Sequence, residues 1–480
     1  MKKIVAIILC FLLSLSIIPT SLAEEVEVLR VYNWQDYIDE GKDDDGAKIT
    51  DSVLELWEKD YYKRTGKKVR VQYDTFETNE TMINTLRTGK TSYDLVCPSD
   101  YIIQKMIIAT ETGEEESIAI EKFDISKMEN YTKYVSPYIS ELFEKNGWTD
   151  YAVGYMWGTV GFLYNPEVIK EEDISTWEFF WNTDYKNRMT CKDVSRDAYV
   201  IGSLYVNREM LMEARSKYEK GEISSTEYTK IVNGVANNTD DSNIEKVGKA
   251  LSEMKENIYG FEVDSGKTDI VSGKIDANLA WSGDAVYSMD LAEEEDGKKL
   301  NFVIPKEGST IYFDGWVMPK GANTALAQDF VDFLCKPEIA AMNMNYIGYT
   351  SVIAGDELYD LLCENYGEED GKYEHDLTYF FRGTLSEDKY TDDGRVIVRT
   401  NEFGRQLTTQ YPSALETVRC GVMEDFGDQN QKVLEMWSVV KANKISALSY
   451  IMMAILGILA VVMLVTTIRR KMKKRRRMRK

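Results

Sequence analysis

Short apolar runs alternate with longer amphipathic stretches along most of the chain. Leu29-Arg30-Val31-Tyr32-Asn33-Trp34 reads as a strand that ends in a polar-aromatic turn. Val53, Leu54, Trp57 and Tyr61 then recur at helical spacing, and Thr65-Gly66 closes that stretch. Val69–Tyr73 predicts a second strand, Met82–Thr88 a second helix and Tyr93–Cys97 a third strand. Such a βαβαβ opening implies a parallel or mixed sheet covered by helices, an α/β fold. Further strands are predicted at Val160–Tyr164, Ala277–Trp281, Phe302–Ile304 and Ile311–Met318. A last amphipathic helix places Val433, Trp437 and Val440 on one face. Glu40–Asp45, Glu111–Glu116, Glu293–Asp296 and Glu364–Asp393 read as acidic surface loops.

The two ends depart from this pattern. Lys2-Lys3, the apolar run Ile4–Ile18 and Pro19-Thr20-Ser21-Leu22-Ala23 form a secretory signal over residues 1–23. Near the other end, Lys444 and Arg469 bracket the uncharged segment Ile445–Ile468. As a helix it would be about 36 Å long at ~1.5 Å per residue, enough to span a bilayer. The basic tail 469–480 then belongs on the cytoplasmic side. Residues 24–444 are therefore expected to face outward, periplasmic or at the cell surface, tethered by a C-terminal transmembrane helix.

Charge sharpens the division. Of 58 Lys and Arg, twelve lie at the two termini, leaving 46 against all 80 acidic residues and a net charge of −34. So acidic a surface repels phosphate backbones and excludes nucleic acid as a partner. The single histidine, His375, excludes most His-based catalysis and multi-histidine metal sites. The stretch from Gly41 fails as a calcium loop, because Gly41 and Ser52 occupy ligand positions. It fails as a phosphate loop because Ala47 and Lys48 stand where Lys and Ser or Thr are required. No enzyme, metal or cofactor is expected. Cys97, Cys191, Cys335, Cys363 and Cys420 are far apart and read as buried thiols with at most one disulfide.

The chain is rich in aromatics, with 30 Tyr, 16 Phe and 9 Trp. Several stand just beyond predicted strands, where open α/β sheets bind ligands: Trp34, Tyr37, Tyr101 and Trp281, with Ser99 among them. Asp314 lies beside others in Ile311-Tyr312-Phe313-Asp314-Gly315-Trp316. Carboxylates next to aromatic faces suit an ammonium ligand. At these positions Val31-Tyr32-Asn33-Trp34-Gln35-Asp36-Tyr37 resembles the opening of the spermidine/putrescine-binding proteins of polyamine ABC importers. Tyr73–Met82, Tyr93–Tyr101, Tyr155-Met156-Trp157-Gly158, Ala280-Trp281-Ser282-Gly283 and Ile347-Gly348-Tyr349 continue the likeness in order across roughly 27–440.

The resemblance implies a two-lobed periplasmic-binding-protein fold of type II that closes on a polyamine about a hinge. It implies lobe 1 at 24–154 and 312–418, lobe 2 at 155–311 and 419–444, and crossovers near Tyr155–Gly158 and Val303–Tyr312. It assigns the ligand walls to Trp34, Tyr37, Tyr101, Trp281 and Tyr312, a polar contact to Ser99, and the ammonium contacts to Asp197 and Asp314. Val194 and Met423 depart from the family pattern, and Asp193 or Glu424 could compensate. The implied partners are ABC permease subunits with a cytoplasmic ATPase. The alternatives are an anchored polyamine sensor or adaptor without transport, and the same fold retuned to another small solute.

Overall fold

The computed structural model describes residues 26–42, 46–113 and 118–442. The signal segment, the span Ile445–Ile468 and the basic tail lie outside the described residues. Among those residues no helix is long and apolar enough to cross a membrane.

Strand Glu27–Trp34 buries Leu29 and Val31 and pairs in parallel with Val69–Phe76 over its whole length. On its other edge it pairs with the short strand Leu95–Val96, completing a three-stranded sheet. Helix Val53–Thr65 crosses between the first two strands. Its start is set by a reciprocal cap, in which Ser52 and Glu55 each accept the other's backbone N–H. The second helix begins at Asn79, three residues before the expected Met82, because the Thr78 side chain caps it.

The second sheet is built around Val153–Tyr164, a strand of twelve buried residues. Only its second half was predicted. Burial on both faces removes the alternation that marks a strand, and Gly154, Gly158 and Gly161 read as turn residues. Along the sheet the order is Cys420–Val422, Ser309–Trp316, Val153–Tyr164, Ala277–Trp281, Met189–Lys192 and Gly260–Glu262. Ser309–Trp316 runs antiparallel to Val153–Tyr164 and slips register between Asp314 and Gly315. Past that slip, isolated bridges Ser99–Asp314 and Val96–Val317 tie it to the end of the first sheet.

Two of the expected acidic loops need correction. Glu293–Asp296 is the last turn of helix Ser282–Asp296, where good helix formers continue an established helix. Glu364–Asp393 contains the end of helix Asp356–Tyr366 and strand Tyr373–Asp376, which pairs with Ile397–Thr400. The five cysteines are all free thiols, four of them buried. His375 is also buried, its Nε2 donating to the Tyr411 carbonyl at 2.6 Å, and burial lowers its pKa. It is a packing residue of the core. The last helix, Asn430–Lys441, buries Val433, Trp437 and Val440 as expected.

Candidate ligand-binding site

A cavity of about 410 Å³ opens where the two sheets meet. Trp34, Tyr37, Ser99, Tyr101, Asp197, Trp281, Tyr312 and Asp314 all line it, so every site residue expected from sequence converges on one space.

Local geometry explains how they get there. Trp34 ends the first strand, and its ring lies 4.6 Å from Phe76. Asp36 adopts a left-handed backbone (φ 50°), turning the chain so that Tyr37 points back toward the second sheet. Tyr37 is wedged edge-on between Tyr155 and Tyr349, and Tyr155 Oη donates to its carbonyl at 2.6 Å. Ser99 stands at the N-terminus of helix Asp100–Thr112, and Asn79 Nδ2 donates to both Ser99 Oγ and Tyr101 Oη.

Asp314 is the centre of this half of the site. Tyr37 Oη donates to its Oδ2 at 2.8 Å and Ser99 Oγ to its Oδ1 at 2.7 Å. Among the described residues it has no cationic partner. Burial pushes its carboxyl up to about 6, against the pull of the two hydroxyl donors. Asp197, in the first turn of helix Ser195–Val206, is the counterpart in the other half. Trp281 Nε1 donates to it at 3.2 Å, and burial again raises its carboxyl to about 6.

A third carboxylate shows the contrast. Asp284 also lines the cavity, but Lys192 Nζ donates to it at 3.0 Å and Tyr349 Oη at 2.8 Å. Burial pushes its pKa up, yet Lys192 and Lys267 outweigh that and hold it below the ordinary carboxylate range. Lys192 is fully buried, donates also to the Val263 carbonyl, and sits 4.5 Å from the Trp281 ring. The Lys192–Asp284 pair is therefore internally satisfied and fixes Trp281 from one side. Asp197 and Asp314 are desolvated acids in no ion pair among the described residues, although the charges of Lys192 and Arg196 offset part of the burial of Asp197.

Sequence reasoning missed Lys192, Asp284 and Arg196. Tyr349 lay inside a stretch that carried the resemblance, but Lys192 closes a four-residue strand and carries no recognisable signal. Asp193 and Glu424 do not stand in for the altered family positions. Asp193 is paired with Lys441 Nζ at 2.7 Å, and neither residue lines the cavity, although Val194 and Met423 do. A larger cavity of about 1230 Å³ adjoins this one through Asp36, Lys267, Asp284 and Tyr349. Two of its acids share one donor: Gln406 Nε2 donates to both Asp290 and Glu293.

Gly158 sets the depth of the site. A Cβ there would come within 2.4 Å of Tyr312 Oη and 2.2 Å of Ser282 Oγ. Gly158→Ala is expected to push the Tyr312 ring out of the wall and weaken ligand binding by about tenfold, one misplaced wall contact being worth roughly 1–1.5 kcal/mol. Titration of the variant checks this; unchanged affinity would show that Tyr312 is not a wall.

Known proteins resemble this chain in sequence and in fold. Residues 57–357 match the family described as bacterial extracellular solute-binding proteins, which are not enzymes. The spermidine/putrescine-binding periplasmic protein of Salmonella typhimurium is 28% identical over 329 residues, covering 68% of this chain and 78% of its own. The putrescine-binding periplasmic protein of Pseudomonas aeruginosa is 28% identical over 349 residues, covering 71% and 82%. A crystal structure of a spermidine/putrescine ABC transporter substrate-binding protein from Streptococcus pneumoniae superposes with a TM-score of 0.56. It covers 86% of this chain and 98% of that one at 24% identity, a likeness of fold. The chain belongs to the bacterial extracellular solute-binding protein family.

Proposed function

We propose that this protein captures a polyamine of the putrescine/spermidine type in its interlobe cavity and delivers it to an ABC importer permease. The observation that carries the reading is the pair of buried carboxylates, Asp197 and Asp314, set among aromatic walls, neither of them in a salt bridge among the described residues. A polyamine is a chain of ammonium groups joined by methylenes, so it needs acids at its charges and flat apolar faces along its length. A carboxylate–ammonium contact at ~4 Å contributes about 4 kcal/mol at an effective dielectric near 20, before desolvation. Each ring face adds ~0.5–2 kcal/mol. The relatives' names point the same way.

Lobe 1 in this reading is 24–154 with 312–418, and lobe 2 is 155–311 with 419–444. The two linking segments, Val153–Tyr164 and Ser309–Trp316, act as the hinge. Asp314 and Asp197 approach the ligand from different lobes, so a bound diamine favours the closed state over the open one. A span at Ile445–Ile468 would hold the binding unit at the membrane and raise its effective concentration at the permease. The acidic surface would steer polycations inward, less so at high salt.

Uptake of labelled putrescine and spermidine tests delivery. A strain lacking the chain should lose uptake at low polyamine concentration and regain it with the full-length protein. A version truncated after Lys444 should restore less. Unchanged uptake in the deletion strain would overturn delivery, and full rescue by the truncated version would overturn the role of the anchor.

A further inference from the structure

The larger cavity beside the site carries an excess of negative charge. Eight acids and three cations line it, and each cation is already paired: Lys42 with Glu40, Lys267 with Asp264, and Arg405 with Glu293 and Glu402. From behind the lining, Lys192 and Lys299 engage Asp284 and Glu402. Asp290 is in no salt bridge among the described residues. It and Glu293 converge on one neutral nitrogen, Gln406 Nε2, at 2.8 and 3.0 Å. Burial raises the Asp290 carboxyl against the pull of that hydrogen bond. Glu293 and Glu294 raise it further, each by more than Arg405 lowers it. The charges around Asp290 thus leave it short of a cation.

One turn along the same short helix, Gln406–Gln410, a second group is incomplete. Gln410 lines the cavity and is 3% exposed. Its Nε2 donates to the Gly348 carbonyl at 3.3 Å, which sets the direction of the amide. Its Oε1 is left with no donor among the described residues, a costly state for a buried acceptor. Gly348 in turn lies against the backbone of Tyr287, one turn before Asp290 on helix Ser282–Asp296. The acid and the amide oxygen therefore sit on facing turns of two packed helices. Tyr366 adds a ring to this patch; burial and the Asp290 charge together raise its phenol. Among the described residues no group of three or more His, Cys, Asp and Glu is placed to hold a metal ion. Carboxylate, amide oxygen and ring are the partners of an ammonium.

We infer that this adjoining cavity is a second, weaker polyamine site, in which Asp290 and Gln410 Oε1 take one ammonium end. The inference takes its ligand from the polyamine reading above and adds a site to it. Asp36, Lys267, Asp284 and Tyr349 belong to both cavities, so an amine held here stands next to the cleft. Asp290 is partly exposed, whereas Asp197 and Asp314 are buried, so solvent screens the second contact more strongly. The high-affinity phase stays one-to-one.

The test is calorimetric titration of the full-length protein with putrescine, carried past saturation of the cleft, in wild type, D290N, Q410L and D314N. Wild type should take up a second equivalent at least tenfold more weakly than the first. D290N should weaken that second phase at least tenfold and leave the first within twofold. Q410L, which removes the acceptor, should weaken the second phase too, and D290N decides alone if Q410L does not fold. D314N should lose the first phase and keep the second. Diffuse binding to an acidic surface would barely respond to the loss of one charge, so an unchanged second phase in D290N overturns the inference. A wild type that takes up one equivalent only overturns it as well and leaves the cleft reading intact. An Asp290-dependent phase without any first phase would overturn the cleft reading and leave this site standing.

Discussion

Replacing Asp314 by Asn should abolish high-affinity polyamine binding and, at the same time, stabilise the empty protein. Both effects come from one buried charge. Tyr37 and Ser99 hold the carboxylate in place, but no cation offsets its burial, and its pKa stands at about 6. A raised acid pKa means the native state binds more protons than the unfolded chain between about 4 and 6. Stability therefore falls as pH rises through that window, and at neutral pH the full penalty is present. It is on the order of 2–3 kcal/mol at ~1.4 kcal/mol per unit. Asn removes the charge and keeps the hydrogen bonds, because both hydroxyls can donate to Oδ1 or accept from Nδ2. The ligand-free variant should melt several degrees higher at pH 7.5. Its affinity should fall about 100-fold or more, since deleting one partner of a buried charge pair costs roughly 2–5 kcal/mol. Affinity within tenfold of wild type, or a lowered melting temperature in a folded variant, would contradict this account.

Acid should have nearly as large an effect. Amines of a polyamine stay protonated well above neutral pH, so only the protein's side of the contact titrates. Asp197 and Asp314 both ionise near 6, and both are needed as carboxylates. At pH 7.5 each is almost fully ionised; at pH 5 each is roughly one-tenth ionised. The product of two such fractions predicts an affinity loss on the order of 100-fold between those pH values, with about two protons released per ligand bound at pH 5. The ligand-free protein should move in the opposite direction as far as these two groups are concerned, gaining stability as pH falls from 7 toward 4. Titrations in buffers of different ionisation enthalpy measure the proton count directly. A flat affinity from pH 7.5 to 5 would mean that these two acids do not grip the ligand.

The lining of the cavity was more legible in sequence than the scaffold around it. Trp34, Tyr37, Ser99, Tyr101 and Trp281 were readable because each follows a short apolar run, and strand ends are where a parallel sheet presents its cleft. Asp314 stood out because an acid inside an aromatic-rich strand needs a reason. The long strand Val153–Tyr164 was half hidden, since its glycines exist to let Tyr312 and the Val303 carbonyl approach the backbone closely. In sequence those glycines look like turns. Lys192 and Asp284 were invisible for another reason. They are 92 positions apart, and nothing local shows that a lysine will be buried against an acid that distant. Arg196 reads as an ordinary helix-surface charge until the Phe426 segment is laid across it. The acidic stretch after Glu364 suggested only solvent, yet it includes a paired strand that buries His375. Composition describes the exposed side of such elements and conceals their core side.

The most direct measurement of the central claim is calorimetric titration of the purified protein with putrescine, spermidine, spermine and 1,4-butanediol at pH 7.5. The account predicts saturable one-to-one binding of a polyamine, no heat from the uncharged diol, and loss of the signal in Asp314→Asn. A folded protein that gives no heat with any of the three amines, or that binds the diol as well as the diamine, would contradict it.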